Sequence, residues 1–199
     1  MLSKVYIFRV VYEGFEKLIW RKIAVPCTYR LDQLGYLIMV IFDTLSYHLF
    51  EIFYKDKSFG IPDENGDMYF DRLNLRDFKL EQLDLKPGSR ISIDYNISIL
   101  QTFSLRLVKI EDVQDQKQNI KYPYVIKGAG SGIIENVSGY YFEKFIEQIN
   151  LNGKTDKPIY YPYENTLWDY RNFNCENLNF KLHEKIKQVE KSYAKLFKT

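Results

Sequence analysis

Histidine and cysteine are scarce: two of each in a chain of 199 residues. His48 and His183 are far apart, as are Cys27 and Cys175, so no ligand spacing for a metal appears and no disulfide framework is implied. That cysteine usage fits a reducing cytosol, and a cytoplasmic location is expected. Charge of one sign is also in short supply. The net +2 is too small to argue for nucleic acid by itself. The mostly apolar run from Leu34 to Phe42 is well short of the roughly 20 residues that cross a bilayer, so no membrane partner is expected. Met1 to Val5 runs straight into a strand pattern without a long apolar segment and cleavage site, so no secretory signal is expected. There are no internal repeats.

What is present suits a folded core. Hydrophobic residues make up 46% of the chain, which excludes wholesale disorder. Aromatics make up 17%, mostly Tyr and Phe, and favour a β-rich interior. The charge is unevenly placed. Residues 181–199 carry six lysines against Glu184 and Glu190, so the positive excess sits at the C-terminal end.

The organising stretch is Leu18 to Pro26. Ile19, Arg21, Ile23 and Val25 point one way, and Leu18, Trp20, Lys22 and Ala24 the other, which is the period of a half-buried strand. Val5 to Tyr12 reads as an earlier strand, and the short link containing Gly14 predicts an antiparallel hairpin. Arg30 to Leu45 follows helical spacing, with Leu31, Leu34, Leu37, Ile38, Ile41 and Leu45 on one stripe. His48 to Tyr54 predicts a third strand. Lys55 to Gly60 and the Asn65-Gly66 segment predict turns, Asp77 to Leu83 a helical turn, and Lys86 to Ser89 a further turn. Arg90 to Ile97 and Thr102 to Ile110 predict two more strands, and Glu111 to Asn119 a linker.

Downstream, the glycine-rich Lys127 to Gly132 fits neither phosphate-loop spacing nor a nucleophile elbow, and is expected to be a mobile surface loop. Ser138 is placed to cap a helix from Gly139 to Ile149, with Tyr141, Phe142, Phe145, Ile146 and Ile149 inward. A Pro- and Tyr-rich connector spans 158–163. The last helix is predicted from about Leu178 to Phe197, with a heptad-like seam at Leu182, Ile186, Val189, Tyr193 and Leu196. Together these give an α+β fold: a β-grasp-like mixed sheet with one helix packed on it over 1–111, and a helical extension packed on that core over 112–199.

Three stretches resemble the plasmid pRiA4b ORF-3-like family, whose genes are also found beside mobile elements. Ile19-Trp20-Arg21-Lys22-Ile23-Ala24-Val25-Pro26 is similar to that family's I-W-R-R-I-x-V-P strand. His48-Leu49-Phe50-Glu51-Ile52-Phe53 resembles its H-L-x-x-F segment. Glu135-Asn136-Val137-Ser138-Gly139-Tyr140 resembles its E-D-x-G-G-(x)-G-Y stretch. The departures are as informative. The family's Y-D-F-G-D-x-W-x-H is met here by Tyr95-Asn96-Ile97-Ser98-Ile99-Leu100-Gln101-Thr102-Phe103, without either carboxylate, the tryptophan or the histidine. Its P-P-E-D keeps only Glu135. The resemblance implies a divergent member and carries over no established activity.

No catalytic set is expected, and neither a metal nor a cofactor. The candidate cleft is Trp20, Arg21, His48, Tyr95 and Glu135. The first functional expectation is a non-enzymatic module that binds a protein partner or self-associates through the C-terminal helix. The alternative is a nucleic-acid-associated accessory protein that uses Lys185, Lys187, Lys191 and Lys195. A third is a degenerate hydrolase-like site around His48, Tyr95 and Glu135.

Overall fold

Alternation in the first 26 residues builds the centre of the sheet. In the computed structural model, β1 (Lys4–Tyr12) and β2 (Trp20–Pro26) form the expected antiparallel hairpin, from Val5 opposite Pro26 to Val11 opposite Trp20. Tyr6, Phe8, Val10 and Tyr12 of β1 bury one face together with Ile19, Ile23 and Val25. The opposite face is lightly covered, by Val5, Ile7 and Ala24 against Tyr122, Tyr124 and Ile126. The structure describes residues 4–62, 68, 71–112, 121–160 and 167–196. The Asn65-Gly66 turn, most of the 111–119 linker, the tyrosine-rich 161–163 and Phe197 lie outside them.

α1 (Leu31–Ile41) follows, and Gln33 accepts the backbone N–H of Arg30 to close its N-terminal turn at 3.1 Å. The apolar stripe predicted a helix to residue 45, but this one ends four residues earlier. Asp43 turns left-handed at φ 53°, the Thr44 N–H reaches Met39 O, and the Asp43 N–H reaches Val40 O. This is a Schellman closure with aspartate in the place usually held by glycine.

The remaining elements are β3 (Phe50–Tyr54), β4 (Lys57–Gly60), β5 (Leu73–Asn74), β6 (Arg90–Tyr95), β7 (Gln101–Asp112), β8 (Tyr124–Ala129), α2 (Gly139–Asn152) and α3 (Cys175–Leu196). Short 3-10 turns at Leu75–Asp77 and Leu80–Leu83 replace the single helical turn read at Asp77 to Leu83. The fold is α+β, with one eight-stranded mixed sheet in the order β5-β4-β3-β6-β7-β1-β2-β8. Only β4 and β5 pair in parallel among the named strands. The expected turn at 55–60 shrinks to Lys55-Asp56, because Phe59 is buried and β4 pairs with β3.

The helices shelter the buried face. Phe142 of α2 meets the rings of Tyr12, Phe15 and Trp168, while Tyr141, expected inward, is exposed. α3 packs on α1 and β8. Its seam residues Leu182, Ile186 and Tyr193 are buried in the chain's own core, with Val189 half-buried.

The glycine-rich stretch is not a surface loop. Residues 127–129 pair with β2 as part of β8, and residues 130–132 are buried. A Cβ on Gly132 would lie 2.3 Å from Phe42 O, which belongs to the backbone and cannot rotate away. Gly132→Ala is therefore expected to lower stability by about 2–3 kcal/mol through overpacking. Gly139→Ala, in α2 with open space around its Cα, is expected to be neutral or to stabilise by about 0.5 kcal/mol. Urea midpoints of the two variants check both.

Candidate functional site

Alternation sends Arg21 to the buried face of β2, where it is 1% exposed. Its Nε donates to Ile41 O at 3.1 Å, and Nη1 donates to Ala129 O at 2.7 Å and to Trp20 O at 2.9 Å. The guanidinium lies 4.0 Å from the Phe173 ring centroid and 5.0 Å from that of Phe42. Gly128 makes room for this stack, since a Cβ there would lie 2.8 Å from the Arg21 stem and 2.9 Å from Phe173. Trp20 points to the other face of the sheet, under the Arg9 guanidinium at 4.3 Å, with Lys127 5.9 Å away.

His48, Tyr95 and Glu135 do converge. His48 Nε2 lies 2.9 Å from Asn136 Oδ1 and 3.5 Å from Glu135 Oε1, and its ring meets Tyr95 edge-on. Asn96 Nδ2 donates to the same Asn136 oxygen at 2.9 Å, and Asn136 Nδ2 donates to the Tyr47 hydroxyl at 2.6 Å. Glu135 Oε2 accepts the Leu45 N–H at 2.7 Å. From α3, the Tyr193 hydroxyl donates to His48 O. Burial raises the Tyr95 hydroxyl far above the ordinary phenol range, and the Glu135 charge adds to the effect, with Thr44 opposing. So the five candidates divide among three places: Trp20 on the outer face, Arg21 under two rings, and the other three in one network.

The network backs the loop after α1, and that loop walls an open cleft of about 720 Å³. Asp43, Thr44 and Ser46 form one side, α3 the other, and Asn172 to Asn174 close one end. Lys185 lines this cleft, with Nζ 3.9 Å from Asp43 Oδ1, as does Lys181 one turn earlier. Lys187, Lys191 and Lys195 sit on the exposed crest of α3 instead, so the four candidate lysines do not act as one face. Among the described residues no three His, Cys, Asp or Glu side chains gather as a metal site.

Reading for titratable groups passed over Asn96, Asn136 and the cleft asparagines. Amides do not ionise, so nothing flagged them. One signal was available: Asn96 and Asn136 stand where the resembling family carries carboxylates. Both residues, with Ser46, adopt left-handed backbone at φ 54°, 58° and 57°, a region that asparagine tolerates better than most residues.

The family pattern described as "Plasmid pRiA4b ORF-3-like protein" matches residues 4–179. Among solved structures, the protein of unknown function MM3350 from Methanosarcina mazei Go1 aligns with a TM-score of 0.69. The two are 20% identical over 89% of this chain and 97% of that one, a likeness of fold. No curated protein matches.

The network is anchored from α1 and α3 by rings. Tyr193 lies 5.3 Å from Tyr36 and 5.4 Å from Phe50. Burial pushes the Tyr36 hydroxyl up to about 12, with Asp32 adding and Arg76 opposing. An unfolded phenol titrates near pH 10. The stability this group contributes is therefore complete below about pH 10 and is lost as pH rises towards about 12. Tyr36→Phe should make the alkaline decline shallower, as measured by urea midpoints between about pH 9.5 and 11.5.

Proposed function

This chain belongs to the plasmid pRiA4b ORF-3-like family, and on that premise we propose that it is a non-enzymatic cytosolic module that binds a macromolecular partner in the cleft between α3 and residues 43–46. The proposal includes the division into a β-grasp-like core over 1–111 and a helical extension over 112–199. One observation carries it. The groups best suited to acid–base work, His48 and Glu135, are joined to Asn136 and to the Leu45 N–H, and so hold a wall in place, while the open cleft beside them presents amides, hydroxyls and lysines.

The partner is a protein, or a second copy of the chain. Self-association has to use the outward crest of α3, because the apolar seam is already packed inside. Gln188 is exposed and lines the cleft, so Gln188→Trp narrows it without touching the core. Crosslinked partner capture should fall at least tenfold in that variant with an unchanged melting temperature. Equal capture by the variant, or no capture by the wild type, sinks the reading. The hydrolase-like alternative around His48, Tyr95 and Glu135 would be favoured instead by stoichiometric metal in the purified protein together with turnover in a hydrolase screen.

The second reading is nucleic-acid binding, favoured by Lys187, Lys191 and Lys195 following one another at four-residue spacing on the exposed crest. Each lysine that meets a phosphate should contribute about −0.9 to the slope of log affinity against log salt. Mobility shifts at increasing salt check this, and replacing the three lysines by alanine should abolish binding.

A further inference from the structure

We infer that the cleft between α3 and residues 43–46 takes a small organic phosphate, an inference that rests on this cleft being the working surface proposed above. Its size suits such a ligand: about 720 Å³ lies within the range of small-molecule sites, roughly 300–1,000 Å³. Its charge is concentrated. Arg21, Lys181 and Lys185 line it against the single carboxylate of Asp43, in a chain whose whole net charge is +2.

Lys181 and Lys185 are one helical turn apart and line the same cavity, so two ammonium groups can address one dianion. At 3.9 Å, the Lys185–Asp43 pair is too long for a tight charged hydrogen bond, and a phosphate can compete for the lysine. The positive end of α3, a helix of 22 residues, opens at the same end of the cleft, offset in part by Glu176 in its first turn.

The rest of the lining suits a polar organic body. Among the described residues the side chains of Asn172 and Asn177 make no hydrogen bond, so their amides can pair with donors and acceptors on a ligand. The walls are pre-set. Arg21 holds the end of α1 to β8 under Phe173, and Glu135 holds Leu45 from behind. A ligand entering a cleft already held open has less ordering cost to overcome.

The test is a titration of the full ¹⁵N-labelled chain at low salt with AMP, inorganic phosphate and adenosine. AMP and phosphate should shift amides of residues 43–46, 172–178, 181 and 185, with AMP half-saturating at or below about 1 mM and adenosine at least tenfold weaker. Lys181→Ala and Lys185→Ala should each weaken AMP about tenfold, and Lys57→Ala, on the exposed β4, should leave it unchanged. No shift with either anion at about 10 mM overturns the inference, as does adenosine binding as tightly as AMP or shifts that map away from the cleft. Partner capture that Gln188→Trp abolishes, with no response to AMP or phosphate, sinks the inference and leaves the module reading intact. AMP binding without partner capture does the reverse.

Discussion

The structure depends on one buried cation. A guanidinium at 1% exposure has given up its hydration, and it persists only because the fold returns hydrogen bonds and ring faces to it. Arg21 receives carbonyls from three points on the chain: its own strand at Trp20, the end of α1 at Ile41, and the edge strand β8 at Ala129. Phe42 and Phe173 flank it, and each cation–ring contact of a desolvated guanidinium contributes on the order of 1–2 kcal/mol. Removing the side chain would leave buried carbonyls without a donor, at about 1–3 kcal/mol each. One residue thereby fixes where α1 stops relative to the sheet, how β8 aligns, and where the chain before α3 lies.

The cleft follows from that constraint. With α1 tied down at Ile41, the chain turns sharply at Asp43 and presents Thr44 to Ser46 towards α3. Glu135 and Tyr193 then fix the loop from two sides, at Leu45 and His48. The polar network acts as a brace between the sheet edge, the loop and the last helix, and its interior contacts are made by amides as much as by charged groups.

The period-two and 3.6-residue patterns made most of the core legible. The hairpin, α1, β3, β6, β7, α2 and α3 could all be read, because burial on one face of each leaves its spacing in the residues. What escaped was fixed by contacts distant in sequence. Lys127 to Gly132 reads as a loop because glycine usually marks one, yet here Gly128 clears space for Arg21 and Phe173, and Gly132 lets Phe42 O approach. The end of α1 was misread because Leu45 continues the stripe and an aspartate closes the helix. Of the candidate site, His48, Tyr95 and Glu135 were legible together. Trp20 and Arg21 were not separable from them, because their strand neighbours look alike until the faces are assigned. The cleft itself is lined largely by asparagines and serines, residues too common in turns to stand out.

The amides at 96 and 136 bear on what kind of protein this is. A carboxylate at each position would crowd negative charge around Glu135 and demand a cation or a shared proton to relieve it. With asparagine, Asn96 donates to Asn136, Asn136 donates to Tyr47, and the Asn136 oxygen still meets His48. The arrangement closes on itself without any ion, at residues whose left-handed backbone asparagine can hold at modest cost. Neutral groups in such positions make a durable brace and a poor acid–base device. The chemistry available to this chain therefore shifts from the network to the surface that the network supports, where Lys181 and Lys185 stand across from Asp43 to Ser46.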